Sequence, residues 1–136
     1  MDAISSMEKQ PSGRVIDQRI RNRIMEAVEI LAEGDDGVRR AWPVEYFENF
    51  YDWVPHRAHG EMQSNSAITR DERTLLLEVS SILDEACDAT PGNINAYELI
   101  ATGWPSRIQP VATKALNLMR KRGRLSEEEE EDPRSA

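Results

Sequence analysis

The chain has 136 residues, about one domain's worth, with 39% apolar and 31% charged side chains and a mean hydropathy of −0.63, so part of it is expected to be disordered or highly exposed. Its 17 basic and 25 acidic residues leave a net charge of −8, which argues against a generic binder of nucleic acid or anionic membrane. A single cysteine excludes a disulfide framework and a cysteine-rich zinc module, no apolar run nears the ~20 residues that span a bilayer, and residues 1–13 lack the basic-then-apolar order of a signal peptide; the expectation is a cytoplasmic protein.

Residues 1–13 read as a loose N-terminus. Over 13–34 the spacing predicts a helix, because Ile16, Ile20, Ile24, Ala27, Val28 and Leu31 recur at three- and four-residue steps as one apolar stripe. Asp17 and Arg21 make an i,i+4 acid–base pair on it, and Gly34 supplies its stop. A second helix is expected over 37–54, entered at Pro43, which suits a first turn, and ended by Pro55. It carries Trp42, Tyr46, Phe47, Phe50, Tyr51 and Trp53, six of the eight aromatic residues. Residues 55–68 form a polar connection long enough to be a functional loop.

A third helix over 69–89 opens on a capping box of Thr69 and Glu72 and turns Leu75, Leu76, Val79, Ile82, Leu83 and Ala86 inward. After a turn cluster at 90–93 comes a short helix over 95–101. A final helix, capped by Ser106, buries Ile108, Val111, Ala112, Ala115, Leu116 and Met119 and stops at Gly123. No segment alternates apolar and polar residues as a strand does. The prediction is all-α: one small bundle of four main helices plus a short one over 14–124, with disordered termini, the second being the acidic tail 125–136.

The charge is unevenly spread. Residues 14–24 carry +3 and 114–124 carry +5, whereas 25–113 carry −10 and 125–136 carry −5. The molecule is an acidic body with two basic strips and an acidic end.

Few residues suggest chemistry. His56 and His59, with Asp52 and Glu61 nearby, are the types that hold zinc or iron, but Pro55 and Gly60 frame an irregular loop and the spacing is not the helical H-E-x-x-H pattern. They read as two surface histidines, with no metal and no cofactor expected. Glu45, Glu48 and Asp52 share one helix face, and paired carboxylates become acid and base only when burial separates their pKa values; a solvated or partner-binding face is the expectation. Cys87 lies beside Asp88, whose charge opposes a thiolate. No nucleophile elbow, phosphate loop or dinucleotide fingerprint occurs, and the reading is of a protein that is not an enzyme.

That leaves an interaction module. Its acidic body suits a basic protein partner, with Glu45, Glu48 and Asp52 for charge pairing and Tyr46, Tyr51 and Trp53 as anchors. The alternative is a helix-turn-helix DNA-binding regulator using the 104–124 helix. There Ser106 and Arg107 open a recognition helix, and Arg107, Lys114, Arg120, Lys121, Arg122 and Arg124 meet phosphates. Against it stand the missing wing strands and the acidic run 127–132 beside the patch. Cations at a helix C-terminus also have a plain role in complementing its dipole.

Arg23, Trp42, Phe50-Tyr51-Asp52, Glu78, Tyr97, Trp104-Pro105, Ala112, Leu116 and Gly123 are together similar in cadence to a group of small, acidic, helical bacterial proteins, which resemble the immunity proteins of bacterial toxin systems. The resemblance spans 14–124, rests mainly on core positions and leaves out the loop 55–68 and the acidic tail. It implies an immunity- or antitoxin-like inhibitor and transfers no functional residue.

Overall fold

The computed structural model describes residues 10–42 and 45–131; the expected entry at Pro43, most of the loose N-terminus and the end of the tail lie outside them. Six helices and no strand occur among the described residues: α1 (Gly13–Ala32), α2 (Asp35–Ala41), α3 (Glu45–Tyr51), α4 (Arg70–Ala89), α5 (Ala96–Ala101) and α6 (Trp104–Arg122). None is long and apolar enough to cross a membrane. The small all-α bundle expected from the periodicity is what forms.

Helix α6 packs along both α1 and α4, while α2, α3 and α5 close the ends of that arrangement. Ile24, Val28 and Leu31 of α1, Leu76, Val79 and Leu83 of α4, and Ile108, Ala112 and Met119 of α6 meet in one core, joined by Phe50 and Leu99. Each fully buried side chain of Leu or Ile size contributes about 1.5–3 kcal/mol by leaving water.

The helix ends follow local chemistry. Ser12 caps α1 by accepting from Val15 N, and Thr69 with Glu72 forms the expected capping box of α4. Asn95 and Glu98 make a second box that starts α5. The final helix begins at Trp104 rather than after Ser106: Gly103 turns the chain at a φ of 84°, and Pro105 occupies the first turn, where its missing N–H costs nothing. Gly123 ends it, as expected, with its N–H on Met119 O.

Two expectations are corrected. The helix over 37–54 is two helices, α2 and α3, with Trp42 between them in extended conformation (φ −72°, ψ 145°). A residue that precedes proline is driven out of the α region, and Trp42 precedes Pro43. In α1 the stripe is rotated at its first half. Ile16 faces solvent and Val15 is buried, as are Gln18, Arg21 and Asn22. Arg21 does not pair with Asp17, which accepts instead from the N–H and hydroxyl of Ser66.

Arg21 points into the molecule. Its guanidinium donates to Glu72 Oε1 at 2.7 Å and to Met119 O and Gly123 O at 3.0 and 3.1 Å. Arg122 donates to Glu72 Oε1 and to Ala67 O, each at 2.7 Å. One carboxylate thus joins α1, α4 and α6. The second positive charge is offset by the carbonyls at the C-terminal end of α6, where unpaired C=O groups carry partial negative charge.

Candidate functional site

The acidic face of α3 is present, but one of the three aromatic anchors beside it, Tyr46, is buried. Glu45 and Glu48 are exposed on α3, Asp52 is exposed just beyond its end, and none of the three makes an ion pair among the described residues. Tyr46 is 1% exposed and packs edge-on against Trp42 and Phe47, with ring centroids 6.5 and 5.3 Å away. Its buried hydroxyl has no hydrogen-bond partner, and burial, then the Asp35 charge, raises its pKa above the ordinary 10. Tyr46 is therefore a core residue and offers no surface anchor. Tyr51 and Trp53 are half-buried against the core. A small domain needs aromatic side chains inside, which is why Tyr46, Phe47 and Phe50 turn away from solvent and Trp42 packs partly buried beside them.

The loop after α3 folds over the C-terminal half of α4 and builds a cluster that sequence spacing did not bring together. The Tyr51 hydroxyl donates to Asp84 Oδ1 at 2.9 Å, and Arg57 N donates to the other oxygen at 3.3 Å. His56 Nδ1 accepts from Ala58 N at 3.0 Å, so the neutral ring carries its proton on Nε2, which lies 2.7 Å from Asp88 Oδ1. The Arg57 guanidinium also reaches Asp88. The hydrogen bond from His56, with those from Arg57, holds the Asp88 carboxyl below the usual range. Around these groups lies an open cavity of about 490 Å³, lined by Tyr51, Pro55, His56, His59, Cys87 and Asp88.

The cluster brings together His, Cys and Asp side chains. Both nitrogens of His56 are engaged, Nδ1 accepting from a backbone N–H and Nε2 donating to a carboxylate, so its one available lone pair is already taken. Burial, then the Asp88 charge, pushes the Cys87 thiol up, away from the reactive thiolate. His59 stands with its ring centroid 6.1 Å from that of His56. Among the described residues no three His, Cys, Asp or Glu side chains are placed to hold a metal ion. Neither Asp84 nor Asp88 is a candidate site residue from the sequence, where Asp88 matters only as the neighbour of Cys87. Their i,i+4 spacing was visible, but nothing local says that residues 56 and 57 fold back onto them.

The basic residues at the end of the chain are divided. Arg122 is held inside by Glu72 and Ala67 O. Arg124 pairs with Glu26 at 2.7 Å and with Glu127 at 3.4 Å, and Arg107 lies over the Trp104 ring at 4.2 Å. Lys114, Arg120 and Lys121 are exposed. Of the six cations, Arg122 is thus withdrawn into the ion-pair network, while the other five stay exposed.

The tail differs from expectation in its described part. Residues 125–131 have no regular secondary structure, yet Leu125 is buried and Glu127 is 2.8 Å from Arg23. A composition that cannot fold alone is held here by cations and buried amides of α1, a partner that composition does not reveal. Comparison with family models, with curated proteins and with solved structures finds no match for this chain.

Proposed function

We propose that this chain is a non-enzymatic interaction module whose acidic surface around α3 docks a basic protein partner, in the manner of an immunity- or antitoxin-like inhibitor. One observation carries the reading: Glu45, Glu48 and Asp52 are exposed and in no ion pair, while the arginines nearest them in sequence, Arg39, Arg40 and Arg57, are each paired with other acids. Arg39 pairs with Asp36, Arg40 with Glu33, Arg57 with Asp84 and Asp88, and Arg23 with Glu26 and Glu127. The field that remains at α3 is negative, and such a field speeds encounter with a cationic surface and favours one docking orientation. Since the aromatic side chains anchor α3 to its own core, charge rather than ring insertion is the main term in recognition. The free cysteine, half-buried on α4, suits a reducing cytoplasm as the place of action.

The test is a partner captured from native lysate and its association rate measured across ionic strength. The rate is expected to fall steeply between about 0.01 and 0.15 M salt. The variant Glu45→Gln/Glu48→Gln/Asp52→Asn is expected to slow association by about tenfold while leaving the melting temperature in place. A rate indifferent to both salt and the triple substitution refutes the reading, as does failure to recover any protein.

A further inference from the structure

Beyond Gly123, where a φ of 76° turns the chain away from α6, residues 125–131 lie against α1. The contacts read main chain more than side chain. Asn22, 1% exposed, donates from Nδ2 to Leu125 O at 2.9 Å and accepts at Oδ1 from Leu125 N at 3.0 Å. Gln18, fully buried, donates to Ser126 O at 2.8 Å and Glu129 O at 2.7 Å and accepts from Glu131 N at 2.6 Å. Arg19 donates to Glu127 O at 2.8 Å, and Arg14 donates to Glu131 O. Only one carboxylate is read closely. Glu127 accepts from Arg23 at 2.8 Å and from Asn22 at 2.9 Å, with Arg124 at 3.4 Å.

This pattern distinguishes between two kinds of anionic ligand. A phosphate offers acceptors alone, which would leave Asn22 Oδ1 without the N–H that now reaches it and Gln18 Oε1 with only the Arg14 guanidinium at 3.4 Å. A peptide offers donor and acceptor in turn, and buried amides need both. The tail also leaves room beside it: a cavity of about 550 Å³ opens between Ser12, Val15 and Arg19 on one side and Glu128 and Glu130 on the other.

We propose that this face of α1 is a peptide-docking groove, occupied in cis by the chain's own tail, and that its partner in trans is an acidic peptide segment of another protein. The segment has an aliphatic residue at the position of Leu125 and a carboxylate two residues on, set between Arg23 and Arg124. The tail is then a built-in competitor, present at the high effective concentration of a tethered ligand. The groove shares no residue with the α3 surface, so the two readings stand or fall separately.

The experiment uses the full chain and a fluorescein-labelled peptide of its own sequence 124–131, read by anisotropy. Wild type is expected to bind weakly, and Glu127→Gln, which loosens the tail, to bind about tenfold more tightly. Asn22→Ala added to that variant is expected to remove the gain. A peptide carrying Leu125→Asp and Glu127→Gln, a control needing no change in the protein, is expected not to bind. No anisotropy change with either protein overturns the proposal. So does duplex DNA gaining affinity on Glu127→Gln where the peptide does not, which would make the face a phosphate reader. Dimerisation of the variant in light scattering also overturns it, because the occupant would then be a second copy's tail.

Discussion

Replacing Glu72 by alanine removes the carboxylate that two guanidiniums share inside the protein. Arg21 is 0% exposed and the Arg122 side chain 8%, and both donate to Glu72 Oε1 at 2.7 Å. Removing one partner of a buried ion pair costs about 3–5 kcal/mol, because the remaining charge has lost both water and its partner. The same substitution opens the capping box, in which Thr69 N donates to Glu72 Oε1 at 2.9 Å, and a lost cap costs about 1 kcal/mol. The sum is about 4–6 kcal/mol, a large share of the ~5–15 kcal/mol by which such domains are stable. For a chain of this size that corresponds to a fall of about 15 °C or more in Tm. The assay is urea and thermal unfolding followed by far-ultraviolet circular dichroism, with Thr69→Ala as the control that removes only the cap. Thr69→Ala is expected to cost about 1 kcal/mol. If Glu72→Ala costs no more than Thr69→Ala, the two arginines find other acceptors or water, and the network does not hold the three helices together.

Acid is expected to destabilise the fold through the same carboxylate. Burial opposes ionisation of Glu72, but hydrogen bonds from Arg122, Thr69 and Arg21 outweigh it and hold the group below the ordinary 4.5. A pKa depressed by folding contributes stability that is present above the unfolded value and is lost as pH falls through the folded one. The urea midpoint should therefore hold from neutral pH down to about 5 and drop below about 4.5, with a shallower drop in Glu72→Gln; an equal slope in both proteins refutes the assignment. Tyr46→Phe removes a buried hydroxyl that has no partner and is expected to be neutral or stabilising by up to about 1 kcal/mol. Tyr51→Phe removes the hydrogen bond to Asp84 and is expected to cost about 1–3 kcal/mol; calorimetry on the two variants checks the opposite signs. At Gly37 in α2 an added Cβ would stand 2.0 Å from Ile30 O, so Gly37→Ala is expected to cost about 1–3 kcal/mol, whereas Gly92→Ala, with nothing within 4 Å, stays within about 0.5 kcal/mol. Equal midpoints for those two variants would show that α2 can shift off α1 freely.

Part of the candidate sites was readable from local rules. Exposure of Glu45, Glu48 and Asp52 follows from their spacing on a face opposite Phe47 and Phe50. The fate of Tyr46 does not follow, because periodicity separates two faces of a helix but cannot say how many aromatic rings the core has room for. His56 and Asp88 are 32 positions apart, and no local pattern relates them. Arg122 sits in a run of cations that reads as one surface patch, yet its neighbours in sequence face solvent while it turns to Glu72. A charged side chain long enough to reach inward is assigned to water by any local rule, and only the place of its counter-ion decides otherwise.

What the chain order alone determined was the class of fold and most of its boundaries. The three-and-four spacing of apolar residues, the Thr69–Glu72 box and the glycine at 123 are local signals with local physical causes, and each element they marked is present. Even the break at Trp42 was in principle readable, since it needs only the proline that follows. Tertiary structure decided everything that depends on which two distant segments meet. It turned Arg21 and Arg122 onto one carboxylate, placed the loop of His56 over Asp84 and Asp88, and laid an acidic tail with almost nothing apolar in it along the amides of α1. Ion pairs and buried amides draw their stability from partners remote in sequence and from the dryness of the place where they meet. Neither is a property of a segment, and so neither could be seen before the helices were packed.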